Sequence, residues 1–351
     1  MESFVYSGHP ARVVFGVGTS QSLVTELERL KKSRALVLST PAQAEDAEAL
    51  LQTLNGQGVG VFSNATMHTP VGVTDDAMKV FEELGADSVI AIGGGSTIGL
   101  GKAIAYRNDA PQIVVPTTYA GSEVTPILGQ TENGVKTTVS SPSILPEVVV
   151  YDPALTVGLP VGMSVTSALN AMAHAIEGLY AQNRNPITSL MANEGVKALK
   201  LALPRVVQDP NNLKARSQAL YGAWLCGTVL GAVGMALHHK LCHTLGGSFD
   251  LPHAETHAIM LPHTAAFNQS AAVSELSVVT ELFGGDLAAG LYSFAAELGA
   301  PLALQDIGLA HSDLDRAAQL AVKNPYWNPR PIEQEAIRTL LQNAWAGTQP
   351  T

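Results

Sequence analysis

The sequence predicts an α/β domain built on a parallel sheet, followed by an all-helical domain. Two observations carry this prediction. Before residue 155, short apolar runs alternate with stretches of helical periodicity. From about Ser164 onward nearly every segment has helical periodicity, and strand signals vanish. We therefore divide the chain into domains spanning 1–158 and 159–351.

The elements of the first domain follow from four apolar runs, at 34–39, 58–62, 87–92 and 112–115. Continuous apolar runs predict strands of a parallel sheet that helices cover on both faces. Residues 137–151 contain further β-like pieces and predict a hairpin or a closing strand. The second domain is predicted to contain helices at 164–182, 186–204, 212–238, 268–282, 287–298, 312–322 and 332–345.

Composition limits the classes of function. The 351 residues are 46% hydrophobic and 14% charged, which indicates a compact protein with a large core. A net charge of -10 and the lack of a Lys/Arg run argue against a nucleic-acid binder. The cysteines, Cys226 and Cys242, lie in apolar helical surroundings and predict buried reduced thiols. The N-terminus shows no secretory signal, so we expect a cytoplasmic protein.

One uncharged run, residues 219–237, is nearly long enough to span a membrane. Its glycines, among them Gly222 and Gly234, would let neighbouring helices approach closely. We interpret it as the buried central helix of the helical domain and expect no membrane association.

A glycine-rich turn, Gly93-Gly94-Gly95-Ser96-Thr97, follows the predicted strand at 87–92 and opens a helix. Glycines let the backbone approach an anion, and a helix N-terminus favours a diphosphate. A second loop, 116–123, also follows a strand and is dense in hydroxyls. Together the two loops predict a Rossmann-like dinucleotide-binding domain. The candidate cofactor residues are Ser39, Thr40, Gly93, Gly94, Gly95, Ser96, Thr97, Thr117, Thr118 and Ser122.

The strand at 34–39 is followed by Thr40-Pro41 rather than by an acidic residue. An acidic residue there would hold a ribose 2′-hydroxyl and repel a 2′-phosphate. Its absence predicts that NADPH is tolerated as well as NADH.

Two pairs of residues in the helical domain have the spacing of one helix face. Asn170 and His174 are four apart, as are His239 and His243, and His253 follows at a predicted loop. Such a set can build a metal site or a proton-transfer site. An amide at Asn170 is a weaker ligand for a divalent transition metal than a carboxylate.

These pieces in this order resemble the iron-containing alcohol dehydrogenase superfamily, over nearly the whole chain. The matching stretches are Gly93–Ser96, Pro116–Glu123, Asn170–His174, His239–His243 and Pro252-His253. Within it the chain most resembles the maleylacetate reductases, for instance in His238-His239-Lys240-Leu241-Cys242-His243. Gly99 and Asn170 stand where the superfamily usually carries Asp.

The resemblance implies NADH- or NADPH-dependent reduction of the carbon–carbon double bond of maleylacetate, giving 3-oxoadipate. It also implies a reaction without a metal, with Asn170, His174, His239 and His253 as a vestigial ligand set. His243 is expected as general acid or proton relay, with the other site histidines and Lys240 stabilising an oxyanion. The dianionic substrate is expected to contact Lys240, Tyr326, Arg330 and Tyr119, and Lys136 to reach the cofactor. A homodimer is expected.

Two other functions remain open at this point. A metal-dependent alcohol dehydrogenase would use Asn170, His174, His239 and His253 as ligands. A lyase related to dehydroquinate synthase would need many Lys and Arg residues for a phosphate-bearing substrate, and the helical domain has few.

Overall fold

The computed structural model describes residues 4–6, 8, 12–132 and 134–350, and for 135 and 136 it describes the backbone alone. The chain divides into two compact units. The first is Gly8–Leu159, and the second runs from Pro160 onward and includes the described residues before Gly8. The first unit is α/β and the second is helical, which confirms the predicted fold class.

A parallel sheet organises the first unit, with strand order β1-β8-β5-β4-β2-β3, while β6 and β7 form a separate antiparallel pair. The strands are β1 (Arg12–Phe15), β2 (Ala35–Leu38), β3 (Gly58–Phe62), β4 (Ser88–Gly93), β5 (Gln112–Pro116), β6 (Ile127–Glu132), β7 (Val135–Ser140) and β8 (Val148–Tyr151). The α-helices of this unit are α1 (Leu23–Arg29), α2 (Ala44–Gln52), α3 (Val71–Glu83) and α4 (Gly95–Asn108).

Successive side chains of the central strands enter two different cores. In β2, Leu36 and Leu38 belong to one apolar cluster, and Val37 belongs to the other. Helix α4 adds Ile98 to the first cluster, and α1 adds Leu27 to the second. The sheet is therefore buried on both faces, which explains why its strands are continuously apolar.

The four apolar runs coincide with β2 to β5, and the stretch 137–151 supplies both a hairpin strand, β7, and a sheet strand, β8. Strands β1 and β6 were not predicted. Each is partly exposed, and β1 lies at the edge of the sheet, so neither has the continuous apolar pattern of a central strand.

The helices of the second unit are α5 (Val161–Leu179), α6 (Pro186–Gln208), α7 (Leu213–Ala232), α8 (Leu237–Phe249), α9 (His253–Asn268), α10 (Val273–Leu282), α11 (Leu287–Glu297), α12 (Leu314–Val322) and α13 (Gln334–Ala346). Helix α9 was not predicted, because it is buried on nearly all sides and lacks an amphipathic pattern. The predicted helix at 268–282 corresponds to α10 but begins too early, because Asn268 is the last residue of α9 and α10 begins at Val273.

The predicted single helix at 212–238 was also wrong. Helix α7 ends at Ala232 because Val233 is extended, and the backbone N–H of Gly234 donates to Asn183 Oδ1 at 2.8 Å. Helix α8 then begins at Leu237, and the two helix axes are bent by 94°. In the described part of the chain no single helix is long and apolar enough to span a membrane, although this bent pair passes on length and composition.

Gly222 of α7 packs closely, as predicted, whereas Gly234 lies beyond the end of α7. A Cβ atom on Gly222 would lie 2.9 Å from the carbonyl oxygen of Gly195 and 3.1 Å from the amide nitrogen of Leu199. Both atoms belong to the backbone of α6. Helices α6 and α7 therefore approach to a distance that only glycine allows at this position.

Candidate active site

The glycine turn joins β4 to α4. Gly93 has a φ of 150°, and a Cβ there would lie 2.6 Å from Thr97 Oγ1. A Cβ on Gly94 would lie 2.8 Å from Thr118 Cγ2. The turn therefore requires glycine at both positions, and the first turn of α4 contains no acidic residue to oppose an anion.

The hydroxyl-bearing loop after β5 packs directly on this turn. The Thr117 N–H donates to the Gly93 carbonyl at 3.0 Å, and Gln43 Nε2 donates to Thr117 Oγ1 at 3.1 Å. Thr40 Oγ1 donates to Gln43 Oε1 at 3.4 Å. Strands β2, β4 and β5 are parallel neighbours, so their carboxyl ends gather these residues at one edge of the sheet.

Three of the predicted cofactor hydroxyls are buried with no hydrogen-bond partner among the described residues: Ser39 Oγ, Thr97 Oγ1 and Ser122 Oγ. Buried hydroxyls normally have partners. Together with the glycine turn, these donors fit the polar groups of a bound dinucleotide. The side chain of Lys136 lies outside the described residues, and the Tyr119 side chain is fully buried, so it offers no surface to a substrate in this conformation.

A chain of hydrogen bonds links two of the predicted histidines to an acid that the sequence analysis did not select. His174 Nδ1 lies 2.8 Å from His239 Nε2, and His239 Nδ1 lies 2.5 Å from Glu177 Oε2. All three side chains are buried. A carboxylate on one ring nitrogen fixes the tautomer of a histidine, so Glu177 orients His239 and, through it, His174.

Glu177 also completes the first turn of α8. The residue before the helix, Ala236, has no side chain that could cap it. Instead, Glu177 Oε1 accepts from the His238 N–H at 2.6 Å, and Oε2 accepts from the His239 N–H at 3.3 Å. These are N–H groups that a helix leaves without internal partners, and a negative charge is favourable there. The carboxylate from α5 thus fixes both the start of α8 and the ring of His239.

A second chain runs through His238 and His257. Thr264 Oγ1 donates to the Met260 carbonyl at 2.9 Å, so it accepts from His238 Nδ1, also at 2.9 Å. His238 Nε2 must then accept from His257 Nδ1 at 2.9 Å. This leaves His257 Nε2 as an acceptor, buried and with no partner in the described chain. Burial lowers the pKa of both histidines well below the usual range, so both rings are neutral at pH 7.

His257 lies four residues after His253 on α9, with the ring centroids 4.4 Å apart. His253 is the first residue of α9 rather than a loop residue, because Pro252 ends the preceding extended segment. The spacing of His253 and His257 is therefore a third helical pair, and this signal was present in the sequence. Glu177 lies three residues after His174 on α5, and this spacing also places two side chains on one helix face.

The predicted metal ligands include no carboxylate. Asn170 contributes a neutral amide, and its Oδ1 is buried without a partner among the described residues. His174 Nδ1 and His239 Nε2 are bonded to each other, and the Glu177 carboxylate is engaged with His239. The set therefore lacks the negative charge that favours a divalent metal ion.

A different set of donors converges beside it. One donor atom from each of His238, Cys242 and His257 lies within 4.8 Å of the others, and all three residues are buried. Thiolate and imidazole suit zinc. Burial raises the pKa of the Cys242 thiol, with a smaller contribution from Glu177, which opposes formation of the thiolate.

Three predicted substrate and catalytic residues meet on one side of α8. His243 Nδ1 lies 3.2 Å from the Tyr326 hydroxyl, and Lys240 Nζ lies 5.8 Å from the centre of the Tyr326 ring. His243 is exposed, and Lys240 is partly exposed. Burial lowers the pKa of Lys240, whereas burial and, to a lesser degree, Glu177 raise the pKa of Tyr326. This group offers a cation and two proton-bearing side chains to a ligand.

Arg330 is held elsewhere in the second unit. Its Nη1 donates to the carbonyl of Phe267 at 3.1 Å, and the guanidinium lies 4.1 Å from the centre of the Phe267 ring. The contact anchors the segment after Tyr326 to α9. A direct role of Arg330 in binding a carboxylate stays a prediction.

Comparison with known proteins decides the family. The family model for iron-containing alcohol dehydrogenase matches residues 10–153, and that for the C-terminal part of the Fe-containing alcohol dehydrogenase family matches residues 164–345. The chain belongs to the iron-containing alcohol dehydrogenase family. The family resemblance read from the sequence is thereby confirmed.

Individual relatives are similar over the full length. A maleylacetate reductase of Rhizobium sp. is 63% identical and one of Burkholderia cepacia is 51% identical, each covering 100% of both chains. The crystal structure of maleylacetate reductase from Agrobacterium tumefaciens is 63% identical, covers 100% of both chains and has a TM-score of 0.97.

Proposed function

We propose that this member of the iron-containing alcohol dehydrogenase family reduces the carbon–carbon double bond of maleylacetate to give 3-oxoadipate, with NADH or NADPH as reductant. The observation that carries the proposal is the full-length identity of 63% with a maleylacetate reductase, together with Asn170 at the site where the family usually places a metal-binding Asp. The arrangement of the described site residues supports it.

The substrate is a dianion with an alkene conjugated to a ketone. NAD(P)H held at the glycine turn would supply a hydride for the alkene carbon β to the ketone. Lys240 stabilises negative charge on the substrate, and the Tyr326 hydroxyl lies 3.2 Å from His243 Nδ1. Protonated His243 gives its Nε2 proton to the carbon α to the ketone and is left as neutral imidazole.

Either dinucleotide is accepted, in this proposal, because Thr40 rather than an acidic side chain follows β2. The glycine turn and the N-terminus of α4 bind the diphosphate, and Thr117, Thr118 and Ser122 supply hydroxyl donors beside it. An acidic residue at position 40 would repel the 2′-phosphate of NADPH. The ratio of kcat/KM values for the two cofactors measures this directly.

Turnover requires no metal in this proposal. The support is the neutral donor set and the hydrogen bond between His174 and His239, which already occupies one nitrogen of each ring. A metal-dependent alcohol dehydrogenase is the competing function, and one donor atom from each of His238, Cys242 and His257 lies within 4.8 Å of the others.

The test is oxidation of NADH and NADPH with maleylacetate, before and after exhaustive chelation, with metal analysis of both samples. We expect equal turnover in the two samples. Turnover that is lost on chelation and restored by iron or zinc would contradict the metal-free reaction. Metal analysis of Cys242→Ser then locates any bound ion. A lower metal content in this variant than in the unsubstituted enzyme would place the ion at His238, Cys242 and His257. No turnover in either sample would refute the substrate.

The homodimer remains a proposal, which sedimentation analysis of the full chain tests.

A further inference from the structure

Lys102 is a buried cation that takes no part in the proposed reaction. It lies on α4, two turns after the glycine turn, and is only 1% exposed. Its Nζ contacts the carbonyl oxygens of Ser122 at 2.6 Å, Thr125 at 2.8 Å and Ile127 at 2.9 Å, and Thr125 Oγ1 at 2.9 Å. Every contact is with residues 122–127, which include the end of the hydroxyl-bearing loop and the residues that follow it.

All four of these oxygens act as acceptors. Thr125 Oγ1 donates its own hydrogen to the Ser122 carbonyl at 3.0 Å, so only its lone pairs face Lys102. An ammonium has three N–H donors and no lone pair, and it matches this shell better than a neutral amine does. Burial lowers the pKa of Lys102 to about 7, and the nearby Glu123 carboxylate opposes that shift.

The loop is therefore attached at both of its ends, to the glycine turn at its start and to α4 at its end. At its start, the Thr117 N–H bonds to Gly93, and Thr118 Cγ2 occupies the space beside Gly94. At its end, Ser122 to Ile127 bind Lys102, which belongs to the helix that Gly95 begins. The loop between these two attachments carries the hydroxyls of Thr117, Thr118 and Ser122. The positions of these hydroxyls relative to the glycine turn therefore depend on both attachments.

We propose that Lys102 is a positioning residue for the dinucleotide: its buried ammonium holds the hydroxyl-bearing loop against α4 in the geometry that binds the cofactor. This inference rests on the dinucleotide site of the proposed function. It assigns Lys102 an effect on cofactor affinity rather than on the chemical step, and it makes no contact between Lys102 and the reacting atoms.

The test uses three variants of the full chain. Lys102→Met keeps the length of the side chain and removes the ammonium. Thr125→Val removes one of the four contacts and leaves the carbonyls in place. Thr156→Val is the matched control, because Thr156 is also buried in the first unit and its hydroxyl donates only to the Pro153 carbonyl, at 2.8 Å.

Fluorescence titration with NADH gives the Kd, and steady-state kinetics with maleylacetate separate KM from kcat. We expect Kd to rise about tenfold in Lys102→Met, where the buried acceptors lose their donor, and about threefold in Thr125→Val, where the ammonium loses one acceptor. With saturating NADH, kcat should stay within about twofold of the unsubstituted enzyme, since no transition-state contact is removed. Thr156→Val should lower thermal stability but leave Kd unchanged.

A folded Lys102→Met variant with an unchanged Kd would overturn the inference. If that variant does not fold, Thr125→Val decides, and an equal effect of Thr125→Val and Thr156→Val on Kd would overturn it as well. Gly94→Ala separates this outcome from failure of the dinucleotide site. Its Cβ would meet Thr118 at 2.8 Å, so unimpaired NADH binding by Gly94→Ala would refute the placement of the site itself.

Discussion

Glu177 shows how one carboxylate can serve two structural purposes at a reactive site. It accepts from two backbone N–H groups at the start of α8 and from the Nδ1 atom of His239. The helix start and the ring orientation are thus fixed by the same group, and His174 is fixed in turn through His239. A histidine held in this way keeps one tautomer and one direction for its remaining nitrogen.

His243 differs from these buried rings because it is exposed and contacts the Tyr326 hydroxyl. We expect His243→Asn to lower kcat at least about a hundredfold, since a positioned general acid contributes that much or more. NADH affinity should not change, because the substitution leaves the first unit intact. Stopped-flow and steady-state rates of NADH oxidation with maleylacetate measure the effect.

The control for this substitution is His311→Asn, which alters another exposed histidine of the same unit, one that bonds to Gln342. It should leave kcat unchanged. A His243→Asn enzyme that retains at least about a third of the original kcat would exclude His243 as the proton donor.

At the scale of elements, the break between α7 and α8 decides where the histidines point. A single helix through residues 212–238 would have continued the α7 axis, whereas α8 turns away by 94°. The buried carboxylate of Glu177 substitutes for the missing N-cap of α8, so the break costs no unsatisfied N–H group at His238 or His239.

The packing of α7 on α6 gives a prediction at the same scale. Gly222→Ala would place a Cβ 2.9 Å from the Gly195 carbonyl oxygen, which belongs to backbone and cannot rotate away. We expect the free energy of unfolding to fall by about 2 kcal/mol, as for other overpacked cores. Urea denaturation followed by circular dichroism measures the change.

Gly162→Ala is the comparison, since a Cβ on this residue of α5 would meet no atom within 4 Å. It should leave stability unchanged or raise it slightly, because alanine favours the helix. Equal stability losses in the two variants would show that the close approach of α6 and α7 is not what makes Gly222 necessary.

At the scale of the whole molecule, buried neutral histidines make stability depend on pH. Burial lowers the pKa of His263 to about 4 and lowers the pKa values of His238 and His257 well below their usual range. In the unfolded chain these groups take up protons near pH 6.5, whereas in the folded chain they do not. Stability is therefore complete above pH 6.5 and is lost as the pH falls below it.

His263 provides the test, because its side chain is buried and Nε2 has no partner in the described chain. A shift from 6.5 to about 4 corresponds to roughly 3 kcal/mol lost between those pH values. Between pH 7 and pH 5 the free energy of unfolding should fall less in His263→Leu than in the unsubstituted protein. In His311→Asn it should fall by the same amount as in the unsubstituted protein. An unchanged slope in His263→Leu would contradict a lowered pKa in the folded state.

The sequence by itself determined what repeats locally along the chain. Apolar runs marked β2 to β5, the glycine turn marked the start of α4, and the four-residue spacing paired Asn170 with His174 and His239 with His243. These features depend on neighbours within one element, so periodicity reports them. The family followed from the order of the same motifs.

Only the tertiary structure decided which side chains complete the sites. Glu177 reaches His239 across 62 positions, His238 reaches Thr264 across 26, and Lys102 binds carbonyls 20 to 25 positions away. A backbone carbonyl as acceptor leaves no trace in the identity of its residue, and the three-residue spacing of His174 and Glu177 does not show which acid among 30 reaches His239. Hydrogen bonds between distant elements depend on how the chain folds back on itself, and local spacing does not contain that information.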